Sequence, residues 1–180
     1  MRIISGSRRG RKLIDFEGAL IRPTTDRVKE SVFNLIQEFV AGSSVLDLFG
    51  GSGALSLEAL SRGADRALII DSSKSSIDII KKNVSLTGFE EKAEILCTDA
   101  KSFISDTKRK FDIIFLDPPY NKGFVLPVLK TISEKELLTA DGIAVLESDF
   151  CDDHGDIPGL EILKQRKYGR TFITIYKRDN

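Results

Sequence analysis

Cysteine and histidine are scarce: there are two cysteines, Cys97 and Cys151, and one histidine, His154, in 180 residues. The cysteines lie far apart and show no C-x-x-C spacing, so neither a zinc site nor a disulfide framework is written into the pattern. No metal is expected, and a reducing compartment suits such usage. No apolar run approaches the length of a membrane span, and the first residues are charged and polar where a secretory signal would carry an apolar stretch. The expectation is a soluble cytoplasmic protein. Repeats and low-complexity tracts are lacking as well, and a chain of 180 residues suits one domain with a sizeable core.

Net charge is also lacking, at zero overall, but the charges are unevenly placed. Arg2, Arg8, Arg9, Arg11 and Lys12 open the chain with no acid among them, and in residues 161 to 178 Lys164, Arg166, Lys167, Arg170, Lys177 and Arg178 face Glu161 alone. Residues 13 to 160 hold sixteen bases against twenty-five acids. A polyanion met by the ends of the chain, not by its middle, fits this asymmetry; so do two solvated tails.

What the chain does have is Val45 to Arg62, VLDLFGGSGALSLEALSR, a short apolar run, a glycine-rich turn and an amphipathic run in succession. Val45, Leu46 and Leu48 suit a buried strand, Gly50, Gly51 and Gly53 a tight turn, and Ala54 to Arg62 a helix. Such a loop lets backbone N–H groups at a helix N-terminus approach a ligand closely. The dinucleotide fingerprint G-x-G-x-x-G fails at its third glycine, where Ser56 stands, so D-x-F-x-G-x-G, from Asp47 through Phe49 and Gly51 to Gly53, describes it better. A carboxylate at that strand end repels a pyrophosphate and attracts an ammonium or sulfonium group. The plainer alternative is a packing turn with Asp47 capping local N–H groups.

In chain order, Arg2 to Ser5 reads as a short strand and Gly6 to Gly10 as a loop displaying arginines, a candidate arm for a phosphate backbone. Leu13 to Ile21 reads as irregular or hairpin-like around Gly18. Pro23, Thr24, Thr25 and Asp26 signal a helix start, and Val28, Val32, Leu35, Ile36 and Phe39 recur at helical spacing until Gly42. Strands are then expected at Ala67 to Ile70, Glu94 to Cys97, Phe111 to Leu116 and Ile143 to Glu147. The intervening helices fall at Lys74 to Leu86, around Phe103 and Ile104, and near Val125 to Ile132 with Pro127 in the first turn. Leu160 to Gln165 and Thr171 to Tyr176 flank Lys167-Tyr168-Gly169-Arg170, a hairpin signal. An antiparallel hairpin closing an otherwise parallel sheet departs from the dehydrogenase pattern and points to a methyltransferase fold.

Asp71 follows Asp47 by 24 residues at the end of the second strand, where an acid can accept from ribose hydroxyls. Asp99, after the third strand, is placed to accept from an adenine amino group, with the Ala100 N–H beside it; either acid alone could equally be a loop cap. The fourth strand runs into Asp117-Pro118-Pro119-Tyr120. Two prolines make a rigid turn without N–H groups, yet that accounts for neither the carboxylate before them nor the ring after them. The chemistry of an exocyclic amine accounts for both. Asp117 and the Pro118 carbonyl can accept its two N–H groups, and Tyr120 can stack on an extruded base.

The glycine loop, the IFLDPPY stretch, the RIISGSRRGRKL and RPTTDRVKESVFNLI segments and the YGRT turn resemble the bacterial small-subunit (16S) rRNA guanine-N2 methyltransferases over nearly the whole chain. The resemblance implies a Rossmann-like S-adenosylmethionine-dependent methyltransferase fold, with a mostly parallel seven-stranded sheet, an antiparallel C-terminal hairpin and a small N-terminal extension. It implies residues 1–42 as an RNA-binding extension with its leading helix, and 43–180 as the methyltransferase unit. Catalysis falls to Asp117, Pro118, Pro119 and Tyr120, cofactor binding to Asp47, Phe49, Gly51, Gly53, Asp71, Asp99 and Ala100, and RNA contact to Arg8, Arg9 and Arg11. The partner expected is 16S rRNA or the small ribosomal subunit, and the state a monomer. Competing readings are a DNA adenine-N6 methyltransferase, which shares the DPPY signature but has little room for target recognition here, and a non-catalytic RNA-binding assembly factor. A NAD-dependent dehydrogenase is opposed by the missing glycine and by the hairpin.

Overall fold

Strand β1 (Ser44–Asp47) is buried at every residue and is an inner strand of the sheet, between β2 and β4. Around it a computed structural model, which describes residues 1–16, 26–118, 123, 125–148 and 157–179, arranges seven strands in the order β3-β2-β1-β4-β5-β7-β6. The others are β2 (Arg66–Asp71), β3 (Ala93–Cys97), β4 (Phe111–Leu116), β5 (Leu138–Ser148), β6 (Leu160–Tyr168) and β7 (Thr171–Arg178). The first five pair in parallel, and β7 runs antiparallel to both β5 and β6. The strands expected from Val45 onward are all present. So are the expected helices after β1, β2, β3 and β4: α3 (Ala54–Ser61), α4 (Lys74–Thr87), α5 (Ala100–Asp106) and α6 (Val125–Glu134).

Helices cover both faces, which is why β4 is apolar at nearly every position. Alternate residues of each strand feed two cores. Val45, Ile69, Ile113, Phe115, Val145 and Ile175 join α3 and α4 on one face, while Leu46, Leu68, Ile114 and Ala144 join α5 and α6 on the other. The first core also takes Ile3, Leu13, Val32, Phe33 and Val40, so the N-terminal segment is built into it.

Four local expectations change. Arg2 to Ser5 is not a strand; Arg2 forms an isolated bridge with Lys12, Ile3 donates to the Arg11 carbonyl at 2.9 Å, and a 3-10 turn at Gly6–Arg8 closes the loop between them. The helix expected to run to Gly42 breaks at Ile36 (φ −112°, ψ 13°) into α1 (Asp26–Leu35) and α2 (Gln37–Val40). Phe39 N–H turns to the Ile36 carbonyl at 2.9 Å, and the Leu35 carbonyl is taken by Lys164 Nζ at 3.3 Å. The buried face of α1 and α2 is also rotated. Lys29, Phe33 and Val40 lie inside, while Val28, Leu35 and Phe39 pack only at its margin. Finally, α3 is buried nearly all round instead of on one stripe, because the sheet holds one side and the N-terminal loop the other. The helix start at Pro23 to Thr25 and the reading around Gly18 lie outside the described residues.

Candidate active site

β1, β2 and β4 are parallel, so their C-terminal ends, Asp47, Asp71 and Leu116 followed by Asp117, meet at one edge. The glycine loop rises from that edge. Gly50 N–H donates to the Ile70 carbonyl at 2.7 Å, and a Cβ at Gly50 would stand 2.6 Å from Ile69 Cγ2, so only glycine lets the loop lie this close to β2. Gly53, in the left-handed region at φ 79°, is the N-cap of α3. Among the described residues, a Cβ at Gly51 would meet only the Phe49 carbonyl oxygen, at 3.9 Å.

Asp47 is 1% exposed. Its Oδ2 accepts from Ser56 Oγ at 3.0 Å and its Oδ1 from Phe49 N–H at 3.4 Å. Burial, only partly countered by the Ser56 bond, pushes its carboxyl up to about 7, and the negative charges of Asp117 and Asp71 push the same way. Asp71 and Asp117, two of the other acids singled out in the sequence, are therefore close enough to Asp47 to act on it. A cation at this edge would relieve that repulsion.

Asp71 Oδ2 accepts from Gly51 N–H at 2.9 Å and Oδ1 from Ser73 N–H at 2.8 Å. It thus ties the glycine loop to the end of β2, and a carboxylate has further lone pairs for another donor. Asp99 caps α5, its Oδ1 accepting from Ser102 N–H at 3.0 Å and Ser102 Oγ at 3.4 Å. Ala100, the first residue of α5, is buried, and its N–H has no partner within the helix ladder. Phe49 packs against the second core. Asp117 and Pro118 are half-buried directly after β4. Pro119 and Tyr120 lie outside the described residues, as do Cys151 and His154.

Of the arginines in the N-terminal loop, Arg8 is not brought to this edge. Arg8 N–H donates to Ser61 Oγ at 2.9 Å and Arg8 Nε to the Thr87 carbonyl at 2.6 Å, so Arg8 sits at the C-terminal ends of α3 and α4, facing the Phe89 ring at 5.4 Å. A cation there complements the dipole of α4. Arg9 and Arg11 are exposed.

Two residues that shape the site carried no motif. Asn83, fully buried on α4, donates to the Ser52 carbonyl in the glycine loop and to the Ile14 carbonyl, both at 2.8 Å. Glu58, fully buried on α3, accepts from Ile4 N–H at 2.7 Å and Ser5 N–H at 3.0 Å while pairing with Lys29 at 3.4 Å and Arg62 at 2.7 Å. An asparagine and a glutamate inside helical stretches look like solvent-facing positions. The only available signal was that Glu58 lies among Ala54, Leu57, Ala59 and Leu60.

The strand order, the reversed β7 and the acids around a glycine loop define a Rossmann-like methyltransferase fold. The chain belongs to the family described as conserved hypothetical protein 95, which matches residues 1–177. It is 32% identical over 180 residues to ribosomal RNA small subunit methyltransferase D of Escherichia coli strain K12, covering 99% of this chain and 90% of that protein. It is 38% identical over 182 residues to YlbH of Bacillus subtilis, covering 99% of each. The solved structure of Escherichia coli yhhF superposes with a TM-score of 0.90 at 31% identity, over 99% of this chain and 98% of that one.

Proposed function

We propose that this protein transfers a methyl group from S-adenosylmethionine to the exocyclic N2 of a guanine in small-subunit ribosomal RNA. The observation that carries the reading is the convergence of Asp117, Asp47 and Asp71 at one sheet edge, with Pro118 directly after Asp117. The name of the Escherichia coli relative supports the acceptor class.

The residues suit such a donor. Asp71, together with Asp47 in its ionised form, makes the edge negative, which favours a sulfonium and an ammonium group, and among the described residues no lysine or arginine forms an ion pair with either. The lone pairs that Asp71 keeps can accept from ribose hydroxyls, and the Ala100 N–H and Asp99 lie where a base edge would be read. When bound, the sulfonium supplies an electrophilic methyl carbon.

The chain's part is to position the amine. The N2 lone pair is delocalised into guanine, and acceptors on both N–H groups make it available while holding the protons off the line of attack. Asp117 and the Pro118 carbonyl are those acceptors in this reading. When the new N–C bond forms at the expense of the donor's S–C bond, one N–H proton would pass to solvent, with Asp117 acting as hydrogen-bond acceptor and not as base. Pro119 stiffens the turn and Tyr120 stacks on the extruded base. Arg9 and Arg11 contact phosphates away from the edge, with Arg8 holding the loop to the body.

The test is labelled methyl transfer to small subunits, naked 16S rRNA and duplex DNA in parallel, with nucleoside analysis. N2-methylguanosine from an rRNA substrate is the expected product; N6-methyladenine, or transfer to DNA alone, overturns the reading. Asp117→Ala should cost about two to four orders of magnitude in turnover with cofactor binding kept, and Asp117→Asn, which keeps an acceptor oxygen, should lose less. Equal loss in both variants would mean that charge or proton abstraction, not hydrogen bonding, is what Asp117 supplies.

A further inference from the structure

We propose that the tip of the β6–β7 hairpin, through Lys167 and Arg170, is a second contact for the phosphate backbone of the RNA strand whose base enters beside Asp117; this rests on the RNA reading above. The strand registers carry the placement. Leu116 pairs with Leu146, Leu146 with Thr174 and Thr174 with Gln165, so these residues stand level across the sheet. Because β7 runs against its neighbours, its beginning and the end of β6 lie at the edge where β1, β2 and β4 end. From Gln165 the hairpin continues to its turn at Gly169 and Arg170, about 13 Å beyond the level of Leu116 at the usual strand rise. β6 stands three strand spacings from β4, about 14 Å. The hairpin is thus a prong beside and above Asp117.

The charge pattern along these strands changes toward the tip. Farther from the edge the cations are paired, Lys177 with Glu161 at 2.8 Å, Arg178 with Glu136 at 3.3 Å and Lys164 with Glu38 at 3.8 Å. Among the described residues no carboxylate pairs with Lys167 or Arg170, both exposed, and Lys167 lies over the half-buried Phe172 ring at 5.1 Å. Lysine and arginine on an edge strand guard against edge-to-edge pairing, which accounts for Arg166 on β6. That does not account for Arg170, which stands in the turn. The acids at the neighbouring strand ends repel a polyanion, so a strand bearing phosphates needs positive charge just outside them to lie there at all. Arg8, at the far ends of α3 and α4, cannot supply it.

The test compares the full chain with Lys167→Ala/Arg170→Ala and with the charge-preserving Lys167→Arg/Arg170→Lys, measuring Kd for naked 16S rRNA from 50 to 200 mM salt, Kd for S-adenosylmethionine, and the urea midpoint. The alanine pair should bind RNA about tenfold more weakly at the low-salt end, and its salt slope should fall by about 1.4, the value for two contacts to a single strand. Cofactor affinity and midpoint should not move, and the charge-preserving pair should bind like the parent. An unchanged Kd and slope overturns the proposal, as does a charge-preserving pair as weak as the alanine pair. Failure of the underlying reading shows instead in the parent protein, as absence of methyl transfer to that RNA.

Discussion

Asn83 grips Ile14 at both backbone groups, its Oδ1 accepting from Ile14 N–H at 2.7 Å and its Nδ2 donating to the Ile14 carbonyl at 2.8 Å. The same Nδ2 reaches the Ser52 carbonyl at 2.8 Å, so one buried amide ties the N-terminal segment to the glycine loop. The geometry of the glycine loop therefore depends on a residue with no place in the loop motif.

Asn83→Ala leaves the buried Ser52 carbonyl without this partner, worth about 1–3 kcal/mol, and removes two bonds to the part-buried backbone of Ile14. The urea midpoint should fall at unchanged m-value, and S-adenosylmethionine affinity should weaken with it. Asn83→Asp should be no better at neutral pH, since it sets a carboxylate against two carbonyl oxygens. An Asp variant as stable as the parent would mean that the amide donor is not what holds the loop.

Glu58 and Lys29 should not be equivalent although both are fully buried. Glu58→Ala leaves Lys29 and two backbone N–H groups uncompensated, and a loss of about 3–5 kcal/mol is expected. Lys29→Met removes a cation whose pKa is lowered chiefly by burial, and leaves Glu58 its bonds from Ile4, Ser5 and Arg62. Its cost should be well below that of Glu58→Ala in denaturant unfolding. The reverse order would show that the N-terminal loop is held by Lys29 and its bond to the Arg2 carbonyl.

Asp47 makes stability depend on pH in a definite direction. Its carboxyl is raised from 3.8 to about 7 in the fold, so the unfolded chain gives up its proton first. The contribution is full below about pH 4, declines as pH rises toward 7, and is spent above it. Urea midpoints of the ligand-free protein should show this decline, and Asp47→Asn should remove it while leaving the contributions of other groups. An identical pH profile in the two proteins would assign the slope elsewhere.

Wherever neighbours along the chain carry the pattern, the sequence is readable: β4, apolar at every position but Asp112, the α4 stop at Gly88, the hairpin turn at Gly169, and the acids that end β1 and β2. These rest on backbone preference and on strands covered on both faces, which leave their mark within a few residues. Arg8 shows the limit. In the sequence it belongs to a basic cluster suited to phosphates; in the fold its guanidinium caps α4, because Thr87, 79 positions away, presents a carbonyl there.

By itself, then, the sequence determined the strand and helix order, the glycine loop and the row of strand-end acids, since each follows from local periodicity, turn chemistry or the parallel sheet those elements must form. Only the tertiary structure decided that Glu58, Lys29 and Asn83 are interior, that Asp47 and Asp117 share one electrostatic neighbourhood, and that the hairpin tip with Lys167 and Arg170 lies at the edge of the sheet where β4 ends while Arg8 does not. The reason is physical. A polar side chain inside a helix has the same local pattern whether it meets water or a buried backbone, and which it meets is set by residues tens of positions away.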